Sequence, residues 1–186
     1  MKNPQTADNI LVEVLRDYGN LKFGFGGDTY FPQMIDTYSR TIADILKLKQ
    51  SNPHLTRILE IGAFVGIVST ALSRCGFHVT AHDVPKVSTD KCLTEHYSRE
   101  SITPVSFLLQ DRAFPLPDES FDMIVFCEVL EHLNFNPLPV LSEFRRLLKP
   151  GGLIYVATPN QTSLVHRLMI LGGKSFYYPV SSTKLK

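Results

Sequence analysis

Tryptophan is absent from the 186 residues, and cysteine is nearly so. The three cysteines, Cys75, Cys92 and Cys127, are scattered, odd in number and without a C-x-x-C pair. That pattern argues against a disulfide framework and a zinc finger, and it predicts a reducing, cytoplasmic setting. A surplus of one charge is also lacking. Nineteen basic residues against eighteen acidic leave +1, so no global field draws the chain to nucleic acid or to a membrane surface. No apolar run approaches the ~20 residues that a spanning helix needs. The first residues lead into no apolar signal core. What is present is an ordinary globular composition, 44% hydrophobic and 20% charged, in a length that suits one domain.

The pattern of apolar residues changes near residue 57. Before it, Ile10, Leu11, Val14 and Leu15 form a helical stripe over 7–18. Ile35, Tyr38, Ile42, Ile45 and Leu46 form another over 33–49, stopped by Asn52 and Pro53. Residues 19–32 between them hold four glycines and four aromatics and read as a loop with aromatic anchors. After residue 57, strands are predicted at 57–61, 77–82, 105–109, 121–126 and 153–157. Helices are predicted at 67–72, 86–99, 138–148 and 163–171. Strands alternating with helices imply crossover units and a parallel sheet. The expected fold is therefore α/β, a Rossmann-like doubly wound, mainly parallel sheet of about five strands with N-terminal helices. The expected division is a helical cap at 1–56, a core at 57–173 and a tail at 174–186.

The strongest local signal is the run from Ile58 to Gly66, an apolar strand with Glu60 near its end and then a glycine-containing turn into a helix. Glycine there lets a ligand approach the backbone closely. Glu60 is placed to accept from an ammonium group. A dinucleotide cradle needs G-x-G-x-x-G, and Phe64 and Ile67 break that pattern. Asp83, ending the second strand, suits two ribose hydroxyls or a plain helix cap. Asp111, after the third strand, is a third acid at the same sheet edge and suits an adenine amino group.

Taken in order, these residues resemble the class I S-adenosylmethionine-dependent methyltransferases, among them the ubiquinone-pathway O-methyltransferases. The resemblance runs over roughly residues 35–172. It rests on Glu60 to Gly66, Asp83, Gln110-Asp111, Leu116 to Asp122, Glu128 to His132 and Leu147 to Gly152. It implies S-adenosylmethionine as cofactor and a small-molecule acceptor methylated on oxygen or nitrogen. It also implies that Glu60, Gly62, Ala63, Phe64 and Gly66 surround the methionine half of the cofactor. Asp83 would hold the ribose, Asp111 and Arg112 would flank the adenine, and Glu128 would stand beside the cofactor at the end of the fourth strand. The family usually has glycine where this chain has Phe64, so a narrowed cofactor turn is expected.

The segment Glu128-Val129-Leu130-Glu131-His132 is similar to one that holds a divalent metal in small-RNA 2′-O-methyltransferases and ubiquinone-pathway enzymes. The alternative is backbone capping by Glu128, and no metal is assigned. His132 is the candidate general base. Thr158-Pro159-Asn160 is either substrate-facing or a helix start. Residues 160–186 hold Arg167, Lys174, Lys184 and Lys186 but no acid. They read as a helix packed on the sheet or as a basic surface for anionic lipid.

A complete fold of this family closes its sheet with a two-strand hairpin. Only one short strand, at 176–180, fits the remaining length. An exposed sheet edge is therefore expected to pair with a second copy as a homodimer, to aggregate, or to be covered by residues 174–186. The alternative functions are a non-catalytic or truncated cofactor-binding scaffold completed by a partner, and a nicotinamide-dependent oxidoreductase.

Overall fold

The computed structural model describes residues 6–24, 31–160 and 164–173. Residues 25–30 of the aromatic loop, the strand expected at 176–180 and the tail at 174–186 lie outside them.

Helix α1, Ala7–Tyr18, starts where Thr6 accepts a hydrogen bond from the Asn9 N–H at 3.3 Å. It buries Ile10, Leu11, Val14 and Tyr18. Each such side chain contributes roughly 1.5–3 kcal/mol of transfer free energy. Helix α2, Phe31–Ser51, outruns the expected 33–49 by two residues at each end. Strand β1, Arg57–Ile61, and helix α3, Ile67–Arg74, follow. Then come β2, His78–Asp83, the short α4, Pro85–Ser88, and α5, Lys91–Arg99. Strand β3 is Thr103–Ser106, β4 is Phe121–Cys127 and β5 is Leu148–Ala157. Helix α6, Leu138–Leu147, lies between the last two strands, and α7, Leu164–Leu171, ends the described chain.

The five strands form one parallel sheet in the order β3-β2-β1-β4-β5. The order reverses between β1 and β4. In such sheets the crevice at the strands' C-terminal ends, beside that switch, is where ligands bind. One face packs Ile58, Val79, Met123 and Val125 against α1–α3. The other packs Leu59, Ile61, Ile124 and Phe126 against Phe144 and Leu147 of α6.

Two expectations need correction. Strand β3 lies two to three residues before the predicted 105–109. The Leu108 N–H instead meets the Asp111 carboxylate at 2.8 Å, and the Asp111 N–H returns to the Leu108 carbonyl. This turn removes residues 107–109 from the ladder, and Pro104 is tolerated because β3 is an edge strand. Strand β5 begins at Leu148, not 153, because an irregularity between Phe121 and Met123 absorbs Pro150-Gly151-Gly152. Helix α7 exposes Leu168, Ile170 and Leu171. On β5, Ile154 and Val156 are 40% and 47% exposed, and the strand's outer edge has no neighbour among the described strands.

The far end of the sheet is tied by Asp122. Its Oδ2 accepts the Thr56 N–H at 2.8 Å, the Arg57 N–H at 2.7 Å and the Thr56 hydroxyl at 3.0 Å. Its Oδ1 accepts Lys149 Nζ at 2.7 Å. One carboxylate thus joins the starts of β1, β4 and β5.

Candidate active site

A cavity of about 480 Å3 opens at the C-terminal ends of β1, β2 and β4. That is large enough for a cofactor-sized ligand. Glu60 from β1, His82 and Asp83 from β2, and Cys127 with Glu128 from β4 contribute to its walls. Gly62, Ala63 and Phe64 form its floor. The opposite wall is one face of α2, where Met34, Thr37, Tyr38 and Thr41 recur at helical spacing. Helix α2 is fastened to the sheet by Tyr155, whose hydroxyl donates to Asp44 at 2.9 Å.

The turn after β1 is held from β2. The Gly62 and Ala63 N–H groups both donate to the His82 carbonyl at 2.9 Å. The Phe64 N–H donates to Asp83 Oδ2 at 2.7 Å, and Asp83 Oδ1 accepts the Val84 N–H at 2.7 Å. Three N–H groups of the turn are therefore already engaged within the protein. Two residues in the site take left-handed backbone angles without being glycine: Phe64 at φ 50° and Glu128 at φ 55°. Such geometry is uncommon and clusters at functional sites.

Glu60 is 6% exposed and accepts a hydrogen bond from Ser69 Oγ on α3. Burial, aided by the charge of Asp83, pushes its carboxyl up to about 7. Glu128 is also raised, first by burial and then by the neighbouring Glu131 carboxyl. His132 lies in the 3-10 turn Leu130–His132 and is an exposed residue on the cavity rim. Thr158 donates to Glu131 at 3.3 Å, which brings the end of β5 to the same rim.

The structure gathers Glu60, Gly62, Ala63, Phe64, Asp83, Glu128 and His132 around one cavity. Gly66, Asp111 and Arg112 are not among its lining residues. Gly66 faces the Tyr97 ring, and Asp111 closes the turn after β3. Cys127, His82, Val84, Leu109 and Val129 line the cavity without having been singled out from the sequence. Their position one or two residues from the strand-end acids was the available signal.

Among the described residues no three His, Cys, Asp or Glu side chains converge in a way that holds a metal ion. The segment 128–132 supplies two carboxyls in contact, with His132 on the rim.

A model of the methyltransferase domain family matches residues 30–182. The ubiquinone biosynthesis O-methyltransferase of Maricaulis maris is 32% identical over 136 residues, covering 72% of this chain and 53% of that protein. The chain spans about half the length of the curated relatives it matches. A putative sarcosine dimethylglycine methyltransferase from Galdieria sulphuraria shares the fold, with a TM-score of 0.55 and 19% identity over 91% of this chain and 68% of that one. The glycopeptide N-methyltransferase MtfA, solved with S-adenosyl-L-methionine, has a TM-score of 0.51 and 19% identity over 62% of this chain and 53% of that one.

Proposed function

Because the chain belongs to the methyltransferase domain family, we propose that it binds S-adenosylmethionine in the strand-end cavity and methylates a small-molecule acceptor. The observation that carries this reading is the acid-lined turn at the strand ends. Its N–H groups are spent on His82 and Asp83, while Glu60, Asp83 and Glu128 leave carboxyls around the cavity. A cationic cofactor without phosphates suits such a site, and a dinucleotide does not. The same feature weighs against the oxidoreductase alternative.

In this reading Asp83 accepts the ribose hydroxyls with the lone pairs its two backbone contacts leave free. Glu60, once ionised, balances the cofactor's ammonium or sulfonium charge. Val84 and Leu109 make an apolar adenine slot, with Asp111 and Arg112 at its outer side. The cofactor supplies an electrophilic methyl on a positively charged sulfur. The chain's task is then positioning: the acceptor atom must be held ~3–3.5 Å from that methyl and in line with the sulfur. Residues 1–56 act as the cap over the 57–173 core, and α2 forms the acceptor wall. Named relatives methylate oxygen, which favours a hydroxyl acceptor and gives His132 the role of taking its proton. Association of two copies through the β5 edge in the cytoplasm completes the proposal. The exposed Ile154 and Val156 support that association, and sedimentation at several concentrations checks it.

Methyl transfer from labelled cofactor to hydroxylated metabolites tests the reading. His132→Gln is expected to lower kcat by about 10²–10⁴-fold with little change in cofactor affinity. An unchanged kcat on a hydroxyl acceptor would remove His132 from the chemistry. It would leave acceptor positioning as the protein's main contribution.

A further inference from the structure

Behind the cavity floor runs a row of buried polar groups whose hydrogens can be assigned one by one. Tyr18 on α1 donates its hydroxyl to the Val65 carbonyl at 2.8 Å. A phenol has one hydrogen, so the Tyr18 oxygen must accept from Thr70 Oγ1, which lies at 2.9 Å. The single hydroxyl hydrogen of Thr70 is thereby spent. Its oxygen must in turn accept from His96 Nε2, at 3.0 Å. The direction is fixed throughout: His96 to Thr70 to Tyr18 to Val65. All three side chains are at most 3% exposed, and none of them lines the cavity. Burial lowers the His96 pKa, in keeping with a neutral ring. The Tyr18 ring also meets His96 edge-on, with centroids 4.8 Å apart.

The end of this row is placed where it matters. Val65 follows Phe64, whose left-handed backbone and Asp83-bound N–H define the cavity floor. The turn is thus gripped on both sides, at the 64 N–H by Asp83 and at the 65 carbonyl by Tyr18. The strained residue between the grips would relax if either were lost.

We infer that Tyr18 is a positioning residue for the cofactor site, holding the 63–65 turn in its binding conformation through a directional hydrogen-bond row that starts at His96. The inference rests on the reading of the cavity as an S-adenosylmethionine site. Because the turn meets the methionine half, the effect falls on that half and spares the adenosine half.

The test compares the full chain with Tyr18→Phe and Thr70→Val, each checked for folding by its melting transition. Affinities for S-adenosylmethionine and for adenosine are measured in parallel. Loss of the row is expected to weaken S-adenosylmethionine about tenfold, the scale of one buried carbonyl left unpaired, with adenosine unchanged. Thr70→Val keeps the Tyr18–Val65 bond but removes the hydroxyl that orients it, so a smaller loss in the same direction, again with adenosine unchanged, is expected if Tyr18→Phe does not fold. Equal weakening of both ligands, or no change in either, would overturn the positioning role. The His96 ring is read separately by 15N resonances in the wild-type protein. The Nε2–H tautomer is expected, and the Nδ1–H tautomer would overturn the row itself. A wild-type chain that binds no S-adenosylmethionine would instead sink the cofactor reading, while the tautomer measurement still decides the row.

Discussion

Gly62→Ala is expected to abolish cofactor binding and to lower stability by roughly 2–4 kcal/mol, combining left-handed strain with overpacking. Gly62 sits at φ +74°, where an L side chain is strained. A methyl built on it would stand 2.3 Å from Val129 Cγ2, far inside contact distance. Val129 itself lines the cavity, so any relief that moves it also reshapes the site. Phe64 should respond in the opposite sense. It holds φ 50° without being glycine, so Phe64→Gly removes local strain worth about 1 kcal/mol, offset in part by chain entropy. Its effect on affinity distinguishes a ring that crowds the ligand, where binding tightens, from a ring that walls it, where binding weakens. Thermal melts and calorimetry on Gly62→Ala, with Gly62→Ala/Val129→Ala as the relief variant, check the first expectation. An alanine variant that melts and binds like wild type would show that the turn has slack the geometry does not suggest.

Asp122→Ala is expected to cost about 2–4 kcal/mol of folding stability, because it strands two backbone N–H groups, a hydroxyl and the Lys149 ammonium at once. Burial opposes ionisation of Asp122. The Lys149 ammonium and the Arg57 and Thr56 donors outweigh it and hold the carboxyl well below the usual range. A depressed folded-state value contributes stability that is present above the unfolded value of about 3.9 and is lost as pH falls through the folded one. Acid should therefore weaken the wild-type fold progressively below about pH 4. Asp122→Asn should start less stable at neutral pH and show a flatter acid limb. Denaturant midpoints between pH 2 and pH 7 measure this, and parallel acid limbs for the two proteins would contradict the clamp.

The order of elements was legible because its signals are local. Period-2 and period-3.6 apolar spacing, Asn52-Pro53 and Gly62 each act within a few residues. The cavity acids Glu60, Asp83 and Glu128 were legible for a related reason, since a parallel sheet sends every strand end to one edge. Asp111 shows the limit of that logic. It follows β3 as expected, but its carboxylate is engaged by the Leu108 N–H, a contact that depends on where the strand stops. The start of β5 was hidden because Pro150-Gly151-Gly152 reads as a turn, and only pairing with β4 shows that it is absorbed as an irregularity. Tyr18 was hidden for the opposite reason. It extends an apolar helical stripe, and its hydroxyl's partners lie 47 and 52 residues away. Tyr38 was legible as part of the helical stripe over 33–49, and Thr37 and Thr41 carried no sign that they face a cavity.

The central claim is that the cavity over the 62–64 turn binds S-adenosylmethionine, and titration calorimetry on the wild-type chain at pH 6 and pH 8 tests it most directly. Glu60, pushed up to about 7 by burial, is largely neutral at the lower pH and largely ionised at the higher. A cationic ligand should therefore bind more tightly at pH 8, with one site per chain. The product S-adenosylhomocysteine should displace it and NAD should not. A folded chain that gives no binding at either pH, or one whose bound ligand is displaced by NAD, would contradict the account.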